Sequence, residues 1–355
     1  MLLVVEERKV IAIISTDWHL QQSNVSIIKD LVKQQIDLAR EEDCTTLLCL
    51  GDVFDSRVSQ REEVLNAFTD ILDEVHANKM LLGCIPGNHD KTDYKSDRSF
   101  LDPFYHHPAL VLHRIEGLVH IQNLPVAFIP FYDTDIWLER YELIKQDVLD
   151  KNFKEGIPIV LMSHIALNGS VNNDGSKVVS SITPSMLSET FTHVYLGHYH
   201  NTQEVAPGIV HLSSIRQNNF GEDNVKGFCV LYSDGEVEFR KSKFTEYKVV
   251  KVDLDKTSKS DLVKLASEID TSNAKIKIEF SGSESKLRSL NEDIFAEKGV
   301  IVKKKRKDLD VIDPEIENIP STLTGSDMKT MFEKFCEEKG YDVEKGYKFL
   351  KKYVE

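Results

Sequence analysis

Five short clusters of hard ligands are strung along the chain: Asp17-Trp18-His19, Gly51-Asp52, Gly87-Asn88-His89-Asp90, Ser163-His164 and Gly197-His198-Tyr199-His200. Each follows an apolar run. Carboxylate, carboxamide and imidazole supply oxygen and nitrogen, and no cluster supplies a thiolate. This donor set suits one or two divalent cations of the Mn²⁺, Mg²⁺, Fe²⁺ or Zn²⁺ kind engaged in hydrolysis. Singly, most clusters are ordinary. Asp-x-His commonly lies in a solvated loop, Gly-Asp is a frequent turn, and a lone Ser-His ends many strands. Gly87–Asp90 says more, because Asn is a neutral ligand and His89 is an acid–base residue beside a carboxylate that could orient it. Gly197–His200 sets two imidazoles one residue apart after a strand, a common way to ligate adjacent ions.

The elements that must position these groups are legible as repeats. Apolar runs at 10–14, 45–50 and 80–85 lead to Asp17, Asp52 and Asn88, with amphipathic helices expected over about 25–40 and 60–77. Such runs are what buried central strands look like, and strand–helix–strand order implies right-handed crossovers. Ligands in these sheets gather beyond the carboxyl ends of the strands, where all five clusters sit. Shorter alternating strands at 110–130 and 205–243, with turns such as Asp234-Gly235, point to a second sheet packed on the first. Residues 1–245 are thus expected to form one α/β domain. Residues 246–307 alternate strand and helix and resemble a small split-βαβ α+β domain. A proline-bearing acidic linker follows at 308–324, then a helical tail at 325–355 whose aromatics suit docking on a partner.

At 355 residues the chain is long for one core. No apolar run approaches the ~20 residues of a membrane span. The N-terminus lacks a basic region and a small-residue cleavage site, so a cytoplasmic protein with no membrane segment is expected. The cysteines at 44, 49, 84, 229 and 336 form no Cys-x-x-Cys pair and read as reduced and mostly buried. The net charge of −14 is uneven, with 35 acidic and 22 basic side chains in residues 1–245 but 23 and 22 in 246–355. A protein gripping nucleic acid should show a basic footprint. Two divalent ions would add about +4 to the first part. The acidity still argues against strong autonomous DNA binding.

Together and in this order, the clusters resemble the calcineurin-type metallophosphoesterase superfamily, whose signature is Asp-x-His, Gly-Asp, Gly-Asn-His-Asp/Glu, His and Gly-His-x-His. All five motifs fall within residues 10–200, with gaps of 35, 36, 76 and 34 residues between Asp17, Asp52, Asn88, His164 and His198. No ligand is substituted. The resemblance implies a two-sheet sandwich flanked by helices and a centre of two divalent cations, Mn²⁺ foremost. It assigns Asp17, His19 and His200 to one ion and Asn88, His164 and His198 to the other, with Asp52 bridging. It also implies that His89 faces the substrate and protonates the leaving oxygen, with Asp90 holding its orientation.

Within that superfamily, Ser15–Leu20, Leu50–Ser56, Phe220–Glu222 and Lys226–Phe228 are similar to the SbcD-type nuclease branch, including its phage-encoded members. Ser213 stands where that branch has glycine, and Ile215 where it has proline. The likeness implies exo- or endonucleolytic cleavage of DNA in recombination, repair or replication. It also implies partners: a homodimer within a heterotetramer, completed by an SMC-like ATPase with coiled coils. Residues 246–307 would then be the capping domain and the tail the ATPase-binding end. If the ATPase holds the duplex, the nuclease subunit need not be basic everywhere. Lys303–Lys307 could touch a phosphate backbone or simply be solvated. Trp18 and Tyr199 could stack on bases or pack around the site. The alternatives are a metallophosphoesterase for a phosphomonoester or cyclic nucleotide, and a non-catalytic scaffold. The 110 residues beyond 245 speak against the first, and the intact ligand set against the second.

Overall fold

Two six-stranded sheets face each other across an apolar interlayer in a computed structural model that describes residues 8–172, 175–272 and 274–307, with Glu333 and Cys336 beyond them. The expected linker and tail lie outside the described residues apart from those two positions. In the first sheet β1 (Val10–Ser15), β2 (Thr46–Cys49), β3 (Leu81–Cys84) and β4 (Leu110–Leu112) run parallel, with α1 (Val25–Glu41) and α2 (Glu62–Ala77) as crossovers. The second sheet has the order β5 (Gly117–Ile121), β6 (Leu124–Ile129), β7 (Val160–His164), β8 (His193–Gly197), β10 (Ile209–His211), β9 (Gln203–Ala206). Helix α3 (Thr134–Lys151) joins β6 to β7, and α4 (Pro184–Ser188) joins β7 to β8. Then β11 (Gly227–Tyr232) returns to the first sheet, antiparallel to β1, and β12 (Val237–Lys241) closes that edge.

Burial on both faces explains the unbroken apolar runs. Ile11 and Ile14 of β1 enter the interlayer with Leu48, Val126, Phe128 and Met162. Ile13 points the other way, onto Ile28, Leu31, Val32 and Ile36 of α1. Leu161 and Val194 of the second sheet likewise pack outward against Trp137 and Tyr141 of α3. Each such side chain removed from water is worth about 1.5–3 kcal/mol. The stretches 110–130 and 205–243, expected in one second sheet, divide between the two. Alternation marks a strand but not the partner it pairs with, and β4, β11 and β12 pair into the first sheet.

A third sheet holds β13 (Glu246–Asp253), β14 (Ala274–Gly282) and β15 (Ile301–Arg306), with α5 (Lys259–Glu268), α6 (Glu284–Arg288) and α7 (Asp293–Ala296) between them. All three strands are parallel and adjacent in chain order. The expected split arrangement is therefore replaced by consecutive crossovers, with no strand inserted among the described residues. Ile276, Ile278 and Phe280 alternate into an apolar cluster with Leu287 and Phe295. The opposite face carries Lys251, Lys275, Lys277, Lys303 and Lys305, with Glu279 set between Lys251 and Lys303 and paired to Lys277 at 2.9 Å. No described helix is long and apolar enough to cross a membrane. The five cysteines are free and buried.

Candidate metal centre

The chain leaves β1 through a strained loop. Asp17 and His19 adopt φ of 54° and 48°, and Asp52 and His198 adopt 53° and 92°. Non-glycine residues rarely hold such angles, at a cost of about 1–3 kcal/mol each. Neighbouring loops over-determine them. Asp17 N–H donates to the Gly51 carbonyl and His19 N–H to the Asp52 carbonyl, each at 3.0 Å. A side chain at Gly87 would place its Cβ 2.2 Å from Asp52 Oδ1, and one at Gly197 would meet the Leu50 carbonyl at 2.5 Å. The motif glycines are there so that three loops can touch.

The structure brings all seven expected ligands together, from the ends of β1, β2 and β3 in one sheet and β7 and β8 in the other. His19 Nε2 lies 2.9 Å from His200 Nε2, and Asp17 Oδ1 is 3.9 Å from both. Asn88 Oδ1 lies 3.1 Å from His164 Nε2 and 2.9 Å from His198 Nδ1. Asp52 Oδ2 stands between the two groups, 3.7 Å from His19 Nε2 and 3.3 Å from His164 Nε2.

The inward atoms are acceptors. His164 Nδ1–H donates to the Leu50 carbonyl at 2.7 Å, and His200 Nδ1–H donates to the Glu222 carboxylate at 2.7 Å. An Asp55 carboxylate oxygen lies 3.3 Å from His19 Nδ1, off the line of a well-formed hydrogen bond. With Nδ1 protonated, each Nε2 is a lone pair. His19 and His200 therefore face each other acceptor to acceptor unless one ring takes a second proton. Burial opposes that proton on His19, but Asp55, Asp52 and Asp17 favour it. The buried Asp17 Oδ1 has no hydrogen-bond partner. Buried acceptors crowded together are unfavourable unless a cation lies among them. The residues fit two divalent cations, one on the Asp17–His19–His200 side and one on the Asn88–His164–His198 side, with Asp52 placed to reach both.

In the cation-free protein, protons answer the same crowding. Burial opposes charge on His164, but Asp52 raises it to about 9. Burial and the neighbouring His164 push His198 down to about 3. Asp52, although buried, is held well below the usual carboxylate range by His164 and His19.

His89 sits outside the cradle. Its backbone N–H donates to Asp52 Oδ1 at 2.8 Å, its Nδ1–H donates to the Asp55 carbonyl, and its Nε2 accepts from Arg57 Nη2 at 2.7 Å. Burial, only partly offset by Asp52, holds the ring below the ordinary histidine value. Asp90 does not orient it. The Asp90 carboxylate accepts from the N–H groups of Gly87 (2.8 Å), Phe54 (2.9 Å) and Val53 (3.3 Å), clamping two ligand loops together. Both ring nitrogens of His89 are taken by other partners, the Asp55 carbonyl and Arg57. Burial and Asp52 push Asp90 up to about 7 against those N–H groups.

Several supporting residues went unassigned in the sequence. Asp55 and Glu222 lay in segments noted for their likeness, with no role attached. Lys226, fully buried, donates to the His200 carbonyl (2.6 Å) and Asn201 Oδ1 (2.7 Å) and stands 3.5 Å from Glu222. His211 is buried between the Gly197 carbonyl (3.1 Å) and Ser170 Oγ (2.9 Å), and no spacing announced it. Trp18 is fully buried, with its indole N–H on Ser15 Oγ at 3.0 Å, and is a packing residue.

Among solved structures the chain is similar to a phosphopantetheinyl hydrolase from Mycobacterium tuberculosis, at 13% identity and a TM-score of 0.36, covering 56% of this chain and 86% of that one. It is also similar to a dimetal phosphatase from Danio rerio (12%, 0.37, 62% and 91%) and to the nuclease MPE from Pseudomonas putida (17%, 0.26, 54% and 62%). No curated protein sequence matches it. The sequence pattern of calcineurin-like phosphoesterases matches residues 11–202, which hold all seven ligands. With more than half its length inside that pattern, the chain belongs to the calcineurin-like phosphoesterase family.

Proposed function

We propose that the chain is a metal-dependent nuclease that hydrolyses DNA phosphodiester bonds. When bound, two divalent cations lower the pKa of a water toward neutrality and offset charge on phosphoryl oxygens. The chain's residues supply the rest. Asp17, Asp52, Asn88 and the four ligand histidines form the cradle. Glu222 and the Leu50 carbonyl fix the tautomers of His200 and His164, and the Asp55 carbonyl fixes that of His89. His89 Nε2, directed toward the exposed Arg57, can hold or deliver a proton at the mouth of the site.

The observation that supports a polymeric substrate is the link from the centre to the third sheet. Loop 213–226 places Glu222 on His200, and its Gln217 bonds the Tyr247 backbone in both directions, at 2.7 and 3.2 Å. Phe220 of the same loop packs on Tyr247, with Lys277 Nζ 5.1 Å from its ring centroid. From there the lysine-bearing face opens, in a chain that is otherwise strongly acidic. A polyanion can use such a face, whereas a small ester cannot reach it.

The acidity of residues 1–245 favours a second reading, a phosphomonoesterase or cyclic-nucleotide phosphodiesterase. Mn²⁺-dependent release of nucleotides from linear DNA separates the two. Turnover of small phosphate esters with DNA left intact would overturn the nuclease reading. The proposal includes an SMC-like ATPase with coiled coils as partner, supported by the likeness around 50–56 and 220–228. Deleting residues 326–355 is expected to abolish co-purification with that ATPase and to leave basal nuclease activity. Co-purification of the truncated chain would refute the role given to the tail.

A further inference from the structure

We infer that Arg57 is a substrate-phosphate ligand that rests on His89 until a phosphoester arrives. The inference rests on phosphoester hydrolysis at the neighbouring centre and adds a residue to it. Arg57 is exposed on the loop that leaves Asp52. Its Nη2 lies 2.7 Å from His89 Nε2, and no carboxylate among the described residues pairs with it. Arg8, Arg98, Arg140, Arg240 and Arg288 each sit on an Asp or Glu. Arg216, which also lacks one, is buried and turned onto the Gln217 carbonyl, and Arg61 lies in the next cleft, so what sets Arg57 apart is its contact with His89. In a chain of net charge −14, carboxylates are plentiful. A guanidinium left without one, at the mouth of a centre built for phosphate, is placed for an anion that comes and goes.

The resting contact is a weak one for arginine. A neutral imidazole nitrogen engages one of its five N–H groups, whereas two phosphoryl oxygens engage two in a bidentate pair. An incoming phosphate would therefore draw Arg57 off His89 and leave Nε2 open to the leaving oxygen. The same segment holds everything in register. The Asp55 carbonyl takes His89 Nδ1–H, and the Asp55 carboxylate stands 3.3 Å from His19 Nδ1.

The test uses the full chain with Mn²⁺, as wild type, Arg57→Ala and Arg57→Lys, with metal content and melting temperature recorded. Calorimetry measures the affinity for inorganic phosphate, and kinetics give KM for bis(p-nitrophenyl) phosphate. A hydrogen bond to a charged group corresponds to roughly 10–150-fold in affinity. Arg57→Ala is expected to weaken phosphate binding and raise KM by about tenfold or more, with partial recovery in Arg57→Lys and metal content unchanged. Phosphate affinity and KM within twofold of wild type would overturn the inference. Assaying the same wild type on linear DNA keeps the two claims apart. Intact DNA would contradict the nuclease reading, while the phosphate measurement would still decide Arg57.

Discussion

His19 and His200 present their Nε2 atoms to each other at 2.9 Å, one backed by Asp55 and the other by Glu222. Without a cation the pair needs a shared proton, and with one it is a ligand pair. Mn²⁺ is therefore expected to raise the melting temperature and EDTA to reverse the rise. A ligand at 100 times its Kd stabilises by about 2.7 kcal/mol, or roughly 5–10 °C here. Melting curves indifferent to both additions would contradict this.

Glu222 has two tasks, and they can be separated. Glu222→Ala is expected to weaken the ion on the His200 side by about 10–100-fold. It also leaves the buried Lys226 without its nearest buried carboxylate, costing about 3 kcal/mol in chemical denaturation. Adding Lys226→Met should restore stability but not metal affinity. Joint recovery of both would show that Glu222 serves stability alone.

His89 touches Asp52 only through its backbone N–H. His89→Ala is accordingly expected to retain bound metal and to lose turnover by about 10²–10⁴-fold, the usual contribution of a positioned acid or base. Metal content by mass spectrometry and hydrolysis rates on one preparation check this. A variant at the wild-type rate would remove His89 from the chemistry.

Acid sensitivity should come from buried neutral imidazoles. Burial pushes His113 down to about 4, and burial pushes His211 to about 4 although the Gly197 carbonyl opposes it. Both values lie below the ordinary ~6.5, so the unfolded chain binds the extra protons. Their contribution is complete above about pH 6.5 and is lost as pH falls toward 4. Melting in EDTA should decline across that window. His113 stacks on Phe128 at 4.2 Å, so His113→Phe keeps the packing and should flatten the decline by roughly 1–3 kcal/mol. An unchanged slope would place the acid sensitivity elsewhere.

The ligand series was readable because each member ends an apolar run and the order is distinctive. Its supports were not, and the reason is physical. Glu222 and Asp55 act on histidines distant in sequence, and His211 packs behind Gly197 by sheet pairing that no local pattern encodes. The left-handed backbone at Asp17 and His19 is likewise imposed by the Gly51–Asp52 loop. Asp90 shows the converse, since adjacency to His89 suggested a partnership, whereas the carboxylate turns to three backbone N–H groups and the ring to the Asp55 carbonyl and Arg57. For the third sheet, the strand–helix alternation gave the elements, but their adjacency appeared only in the pairing.

Anomalous scattering at the manganese edge, from crystals grown with Mn²⁺, tests the two-cation centre most directly. The geometry calls for two peaks, one among Asp17, His19 and His200 and one among Asn88, His164 and His198, each in contact with Asp52. A single peak, or peaks away from Asp52, would contradict it.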